Sequence, residues 1–172
     1  DAVRFIELEA GKGGFVGSRF ATRHFPLGGV SGGHIGDKKK LKEVIAGLAR
    51  EHKLSFANIS LPEEQGYLAN MRIPRVAANE VRGVIELRLE EHIPIPAADA
   101  IFDYVIVDNP ANRHNSTIDL VVSALPRSVV SEYLEVFHDT GITPKAFEFE
   151  SGAMARAVIP EGARVMGHPA YA

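Results

Sequence analysis

Prolines cut the middle of this chain into short pieces, and any fold must respect the cuts. Pro62 closes the apolar run Phe56–Leu61, which reads as a buried strand, and Pro74 closes Tyr67–Ile73. Ile93-Pro94-Ile95-Pro96 halts a helical stretch, and Pro126 suits the first turn of another. Proline lacks a backbone N–H and biases the preceding residue toward extended geometry, so each piece ends where the proline stands. Between the cuts the apolar period changes. Tyr67, Ala69, Met71 and Ile73 alternate as on a strand, whereas Val81, Val84, Ile85 and Leu89 form one face of a helix from about Ala78 to His92. Strand alternation returns in Ile101–Val107 and in Thr117–Ala124, with the polar turn Asp108–Asn115 between them. The order from 56 to 124 is therefore strand, strand, helix, strand, strand.

The flanks are as regular. Val3–Glu9 and Phe15–Phe25 are extended stretches around Gly11, Gly13 and Gly14, which predicts a hairpin. A glycine-rich loop, Pro26 to Gly36, leads to Asp37, which can cap a helix reaching about His52 with Leu41, Val44, Ile45 and Leu48 inward. Lys38-Lys39-Lys40 in its first turn opposes the helix dipole and reads as a solvated face. After Pro126, a helix carrying Val129, Val130, Tyr133, Leu134 and Phe137 is expected to end near Gly141. A strand at Ala146–Glu150 and a last helix capped by Ser151 follow, and a tail begins at Gly167. The fold class is α/β (α+β) with mixed sheets.

Composition narrows the chemistry. With 45% apolar and 24% charged residues and a net charge of −3, the chain is of folded type with no general pull toward nucleic acid. The absence of cysteine excludes disulfides, thiolate zinc, iron–sulfur clusters and cysteine nucleophiles. No run approaches the roughly 20 apolar residues of a membrane-spanning helix. Ala2–Leu8 reads as a strand already in progress, which predicts that the chain begins inside a longer protein.

Motifs for chemistry are incomplete. From Gly11 and Gly13 the third glycine of a dinucleotide fingerprint would fall on Val16, and Gly28–His34 lacks the Gly-Lys-Ser/Thr ending of a phosphate loop. The seven histidines are scattered without metal-ligand spacing. Asp103 and Asp119 sit on strands that could be neighbours, as an acid/base pair or as two exposed carboxylates.

A longer series of motifs is more specific. Ser60-Leu61-Pro62-Glu63, Ile73-Pro74, Glu90-x-x-Ile93-Pro94-Ile95-Pro96, Asp103-Tyr104, Ala124-Leu125-Pro126-Arg127 and Phe149-Glu150-x-x-Ala153-x-Ala155-Arg156-Ala157 occur in order. This series resembles the PilM family of type IV pilus assembly proteins, actin-like relatives of the cell-division protein FtsA. The resemblance implies a partial actin-like core over 1–62 and 126–166, with a strand–helix–strand–strand interaction module inserted at 63–125 and a tail at 167–172. It implies a cytoplasmic protein, peripheral to the inner membrane, that binds the N-terminal cytoplasmic peptide of a PilN-like membrane partner. It leaves self-association open and implies neither nucleic-acid binding nor direct insertion into the membrane.

For the full-length family it also implies ATP and Mg in a cleft between two halves. Here the first phosphate loop would precede Ala2–Leu8, leaving Asp1 and Arg4 as a remnant, and the strand bearing the second would begin near Val165-Met166. The expectation is therefore no cofactor, little or no nucleotide binding, and no catalytic or metal site in these residues. Partner contact is expected beside the Ile93–Pro96 corner, with Ile93 and Ile95 exposed and Arg88, Glu91 and His92 as a polar rim, although the two isoleucines suit packing as well. Two other readings stand beside this one. One is an FtsA-like or secretion-system actin-like scaffold, and the other is a stand-alone enzyme using Asp103 and Asp119.

Overall fold

A long antiparallel hairpin opens the chain, β1 (Ala2–Gly11) with β2 (Gly14–His24), in register from Ala2↔His24 to Gly11↔Gly14. The computed structural model describes residues 2–12, 14–25, 28–107, 115–158, 164–165 and 168–169. Asp1, Gly13, most of the expected turn at 108–115 and most of the expected tail lie outside the described residues. The chain divides into two units, 1–59 with 132–147 and 60–131 with 148–172. The segment 63–125 falls within the second.

In the first unit the hairpin carries one irregularity, where Glu7↔Arg19 is followed by Leu8↔Gly17. The loop after it is more ordered than its glycines suggest. Val30–Ser31 (β3) and His34–Ile35 (β4) form a small hairpin, with Gly32 and Gly33 at φ 55° and 76°. Two successive positive φ values make the turn that glycine adopts without strain. Asp37 then caps α1 (Lys38–His52), its Oδ1 accepting from the Lys40 N–H at 2.8 Å. Leu41, Ile45 and Leu48 are buried on one face. Lys53 ends the helix in the left-handed conformation, φ 55°. The end of α1 meets the hairpin: Phe5 lies 4.7 Å from the His52 ring, Arg23 pairs with Glu51, and Arg19 Nη1 donates to the His52 carbonyl at 3.0 Å.

The Lys38–Lys40 run is only partly a solvated face. Lys38 Nζ stands 2.8 Å from Glu135 and 3.8 Å from Glu132 on α3 (Arg127–Phe137). The Tyr133 hydroxyl donates to the Gly33 carbonyl at 3.2 Å, tying α3 to the β3–β4 turn. The helix stops at Phe137 rather than near Gly141, and Asp139 and Gly141 take positive φ in the connection. β5 (Phe56–Leu61) pairs with β9 (Thr143–Phe149). The expected burial of β5 holds for Leu61 only: Phe56 is 65% exposed, with the Lys145 ammonium 5.7 Å from its ring.

The second unit holds a three-stranded antiparallel sheet in the order β6 (Tyr67–Pro74), β8 (Thr117–Pro126), β7 (Ala100–Val107). Helix α2 (Val81–Arg88) connects β6 to β7 and covers one face, where Met71, Ile73, Leu120, Val122 and Phe102 form the core with Val81 and Ile85. α2 is shorter than its apolar period suggests. It tightens at Leu89–Glu91 into a 3₁₀ turn before Pro94, which has no N–H to continue the ladder. α4 (Glu150–Val158) begins one residue before Ser151, so Ser151 is not its cap. The Ser151 N–H donates instead to Glu63 Oε1 at 2.9 Å, a carboxylate suited to a helix N-terminus. Arg164–Val165 (β10) and His168–Pro169 (β11) form a short ladder.

Candidate functional site

The Ile93–Pro96 corner is packed inward. Ile93 is 1% exposed and Ile95 7%, both in the core under the sheet. Of the two readings of this corner, exposed or packed, the structure shows the packed one, and the cause is the helical period. Val81, Ile85, Leu89 and Ile93 stand four residues apart, and the Ile93 N–H still bonds to the Leu89 carbonyl at 2.9 Å. Ile93 therefore continues the buried stripe for one more turn.

The polar rim is engaged within the unit. Arg88 forks onto one Glu91 oxygen through Nε and Nη2, at 3.0 and 2.9 Å, and its Nη1 reaches the Arg72 carbonyl at 2.9 Å. Of the five candidates, the structure leaves His92 as the exposed side chain outside this pair and the core. Arg4 is exposed on β1, opposite Thr22. Asp1, its companion in the expected nucleotide remnant, lies outside the described residues.

Asp103 and Asp119 lie on paired strands but not side by side. Asp103 opposes Ser123 and Asp119 opposes Val107, four positions away, about 13 Å along a strand. Arg72 Nε stands 2.6 Å from Asp119 Oδ1 and is held more firmly protonated by that carboxylate. An acid/base pair needs both carboxyls on one reacting group, so this geometry does not support the enzyme reading. Among the described residues no group of three metal-ligating side chains comes together, and no helix is long and apolar enough to cross a membrane.

Two of the separated motifs do meet. Glu63 of Leu61-Pro62-Glu63 receives the Ser151 N–H, and Phe149 of Phe149-Glu150 lies against Gly66. Glu63, Gly66, Leu68 and Phe149 line a cleft of about 120 Å³. That is small beside the roughly 300–1,000 Å³ of an ordinary ligand site. No local signal marked Gly66, because its neighbour is 83 residues away in sequence.

The architecture and this motif junction can be set beside known proteins. Residues 1–164 match the family model for the type IV pilus assembly protein PilM. The chain belongs to the PilM family. A solved PilM-PilN type IV pilus biogenesis complex contains a chain that superposes with a TM-score of 0.80 at 18% identity, over 95% of this chain and 50% of that one. The fold is thus that of PilM, actin-like, and the chain spans about half the length of the solved one. The cytoplasmic domain of EpsL, an inner-membrane component of the type II secretion system of Vibrio cholerae, overlaps at TM-score 0.49 and 13% identity, covering 81% of this chain and 49% of that one. No curated protein matches the sequence. Membership of the PilM family also decides against the FtsA-like reading.

Proposed function

We propose that this chain is the partner-binding half of a PilM-type scaffold, which holds the N-terminal cytoplasmic peptide of a PilN-like inner-membrane protein and so links the pilus platform to the cytoplasm. The observation that carries the proposal is the family match across residues 1–164. The structural likeness to a chain from a PilM-PilN complex is consistent with it. Peptide docking needs shape and side-chain contacts rather than a reacting group. ATP with Mg belongs to the full-length family in this reading, and the protein sits at the membrane through its partner.

Calorimetric titration with a synthetic N-terminal peptide of a PilN-like inner-membrane protein tests the proposal. Saturable binding at one site per chain is expected. No binding to that peptide, with the chain folded, would remove the basis for the role.

A further inference from the structure

A three-stranded sheet has two open edges, and an open edge is a template for another strand. The hydrogen-bond phase shows which backbone groups face outward here. Arg75 N–H donates to the Ser116 carbonyl at 2.8 Å, continuing the Pro74↔Thr117 register. By the alternation of an antiparallel ladder, the backbone groups of Asn70, Arg72 and Pro74 then turn away from β8 on one edge, and those of Phe102, Tyr104 and Ile106 on the other.

The unit's own residues occupy or blunt both rows. On the β6 edge, Arg88 Nη1 donates to the Arg72 carbonyl at 2.9 Å, and Pro74 has no N–H to offer. On the β7 edge, Arg82 Nη2 donates to the Phe102 carbonyl at 3.1 Å, with its guanidinium 4.4 Å from the centre of the Phe102 ring. One residue on, Asp103 Oδ1 accepts the Tyr104 N–H at 2.9 Å. The two arginines stand near opposite ends of α2, so one helix guards both edges. The need is plain in β7 itself. Its sequence Ala-Ile-Phe-Asp-Tyr-Val-Ile-Val carries a single charge, Asp103, while Val105 and Ile106 are 55% and 48% exposed. Such a strand pairs with its own kind when its edge is open.

We infer that Arg82, Arg88 and Asp103 are edge-blocking residues that close this sheet to strand addition, by a second copy of the chain or by an extended peptide. For the peptide, the inference rests on the function proposed above: the partner is held by side-chain contacts and does not become a fourth strand.

Two variants and one measurement on the unaltered chain test it. Asp103→Ala removes an exposed side chain, and Arg82→Gln with Arg88→Gln removes the guanidinium from one outward carbonyl on each edge. In sedimentation velocity each is expected to reach at least about twice the parent's mass at equal concentration, as in two-fold pairing. Hydrogen exchange at the Tyr104 and Ile106 amides of the associated Asp103→Ala variant is expected to slow by about tenfold or more. Parental mass and exchange in a natively folded Asp103→Ala variant would overturn the inference, and this holds even if the arginine variant does not fold. With the unaltered chain saturated by the PilN-type peptide, the Asn70, Arg72, Tyr104 and Ile106 amides are expected to keep their exchange rates. Slowing at alternate residues along one edge would mean a fourth strand and would equally overturn it. Failure of the peptide to bind counts against the proposed function alone, and the variants then decide the edge-blocking role.

Discussion

The ring of Phe149 occupies the space where a side chain on Gly66 would begin. Gly66 has ordinary extended backbone, φ −103° and ψ 159°, so the demand for glycine here is steric rather than conformational. Gly66→Ala is therefore expected to destabilise by about 1–3 kcal/mol, the usual cost of overpacking. In urea unfolding, Phe149→Ala should make the Gly66→Ala change cheaper, because the clash then disappears. Equal costs in the two backgrounds would mean that the ring moves aside freely.

The inward-facing Ile93 separates packing from recognition. Ile93→Ala should cost about 2–5 kcal/mol, whereas Ile93→Val should cost about 0.5–1.5 kcal/mol. Affinity for a PilN-type peptide is expected to be unchanged in the folded Ile93→Val variant. A marked loss of affinity without loss of stability would put Ile93 back among the contact residues.

Acid should loosen the first unit. The partners Arg19, Arg23 and Lys38 hold the carboxyls of Glu7, Glu51 and Glu135 below the usual 4.5. A lowered folded-state value means that the stabilisation is present above 4.5 and is lost as pH falls through the lowered values. Lys38 runs the other way: Glu135 raises it above 10.5, so its share is complete below 10.5 and is lost as pH rises through the raised value. These groups are exposed, so the effect is small and weakens with salt. Thermal melts from neutral pH to about pH 3 should show less acid sensitivity in a Glu7→Gln, Glu51→Gln, Glu135→Gln variant than in the parent. Identical pH curves would show that the pairs do not contribute.

The glycine-rich loop is expected not to hold phosphate. Gly32 and Gly33 make the β3–β4 turn, the Gly36 N–H bonds to the Gly29 carbonyl at 2.8 Å, and a side chain on Gly36 would meet the Gly28 carbonyl oxygen at 2.5 Å. These glycines close the loop on itself rather than opening it around an anion. Titration of Mg-ATP into the 172-residue chain should show no micromolar binding. Micromolar affinity would demand a phosphate site elsewhere in these residues.

Much of the fold is legible in the amino-acid sequence. The proline cuts and the switches between period 2 and period 3.6 locate β6, α2, β7 and β8, because side-chain direction in a strand or helix is a local property of the backbone. Asp37 announces the start of α1 for the same reason, since a cap reaches only three residues. The ordered motifs identify the family.

The site is less legible. The direction of Ile93 is available in principle from the four-residue spacing that continues past Leu89. The roles of Glu63, Gly66 and Lys38 are not, because their partners lie 88, 83 and 97 residues away, at Ser151, Phe149 and Glu135. Nor can the sequence show that Asp103 and Asp119 fall four positions apart in register, or that Arg82 and Arg88 reach edge carbonyls on two different strands. Local period determined the elements of this protein. Which strand stands beside which, and in what register, is set by burying one face of every element at once, and only the tertiary structure decided that.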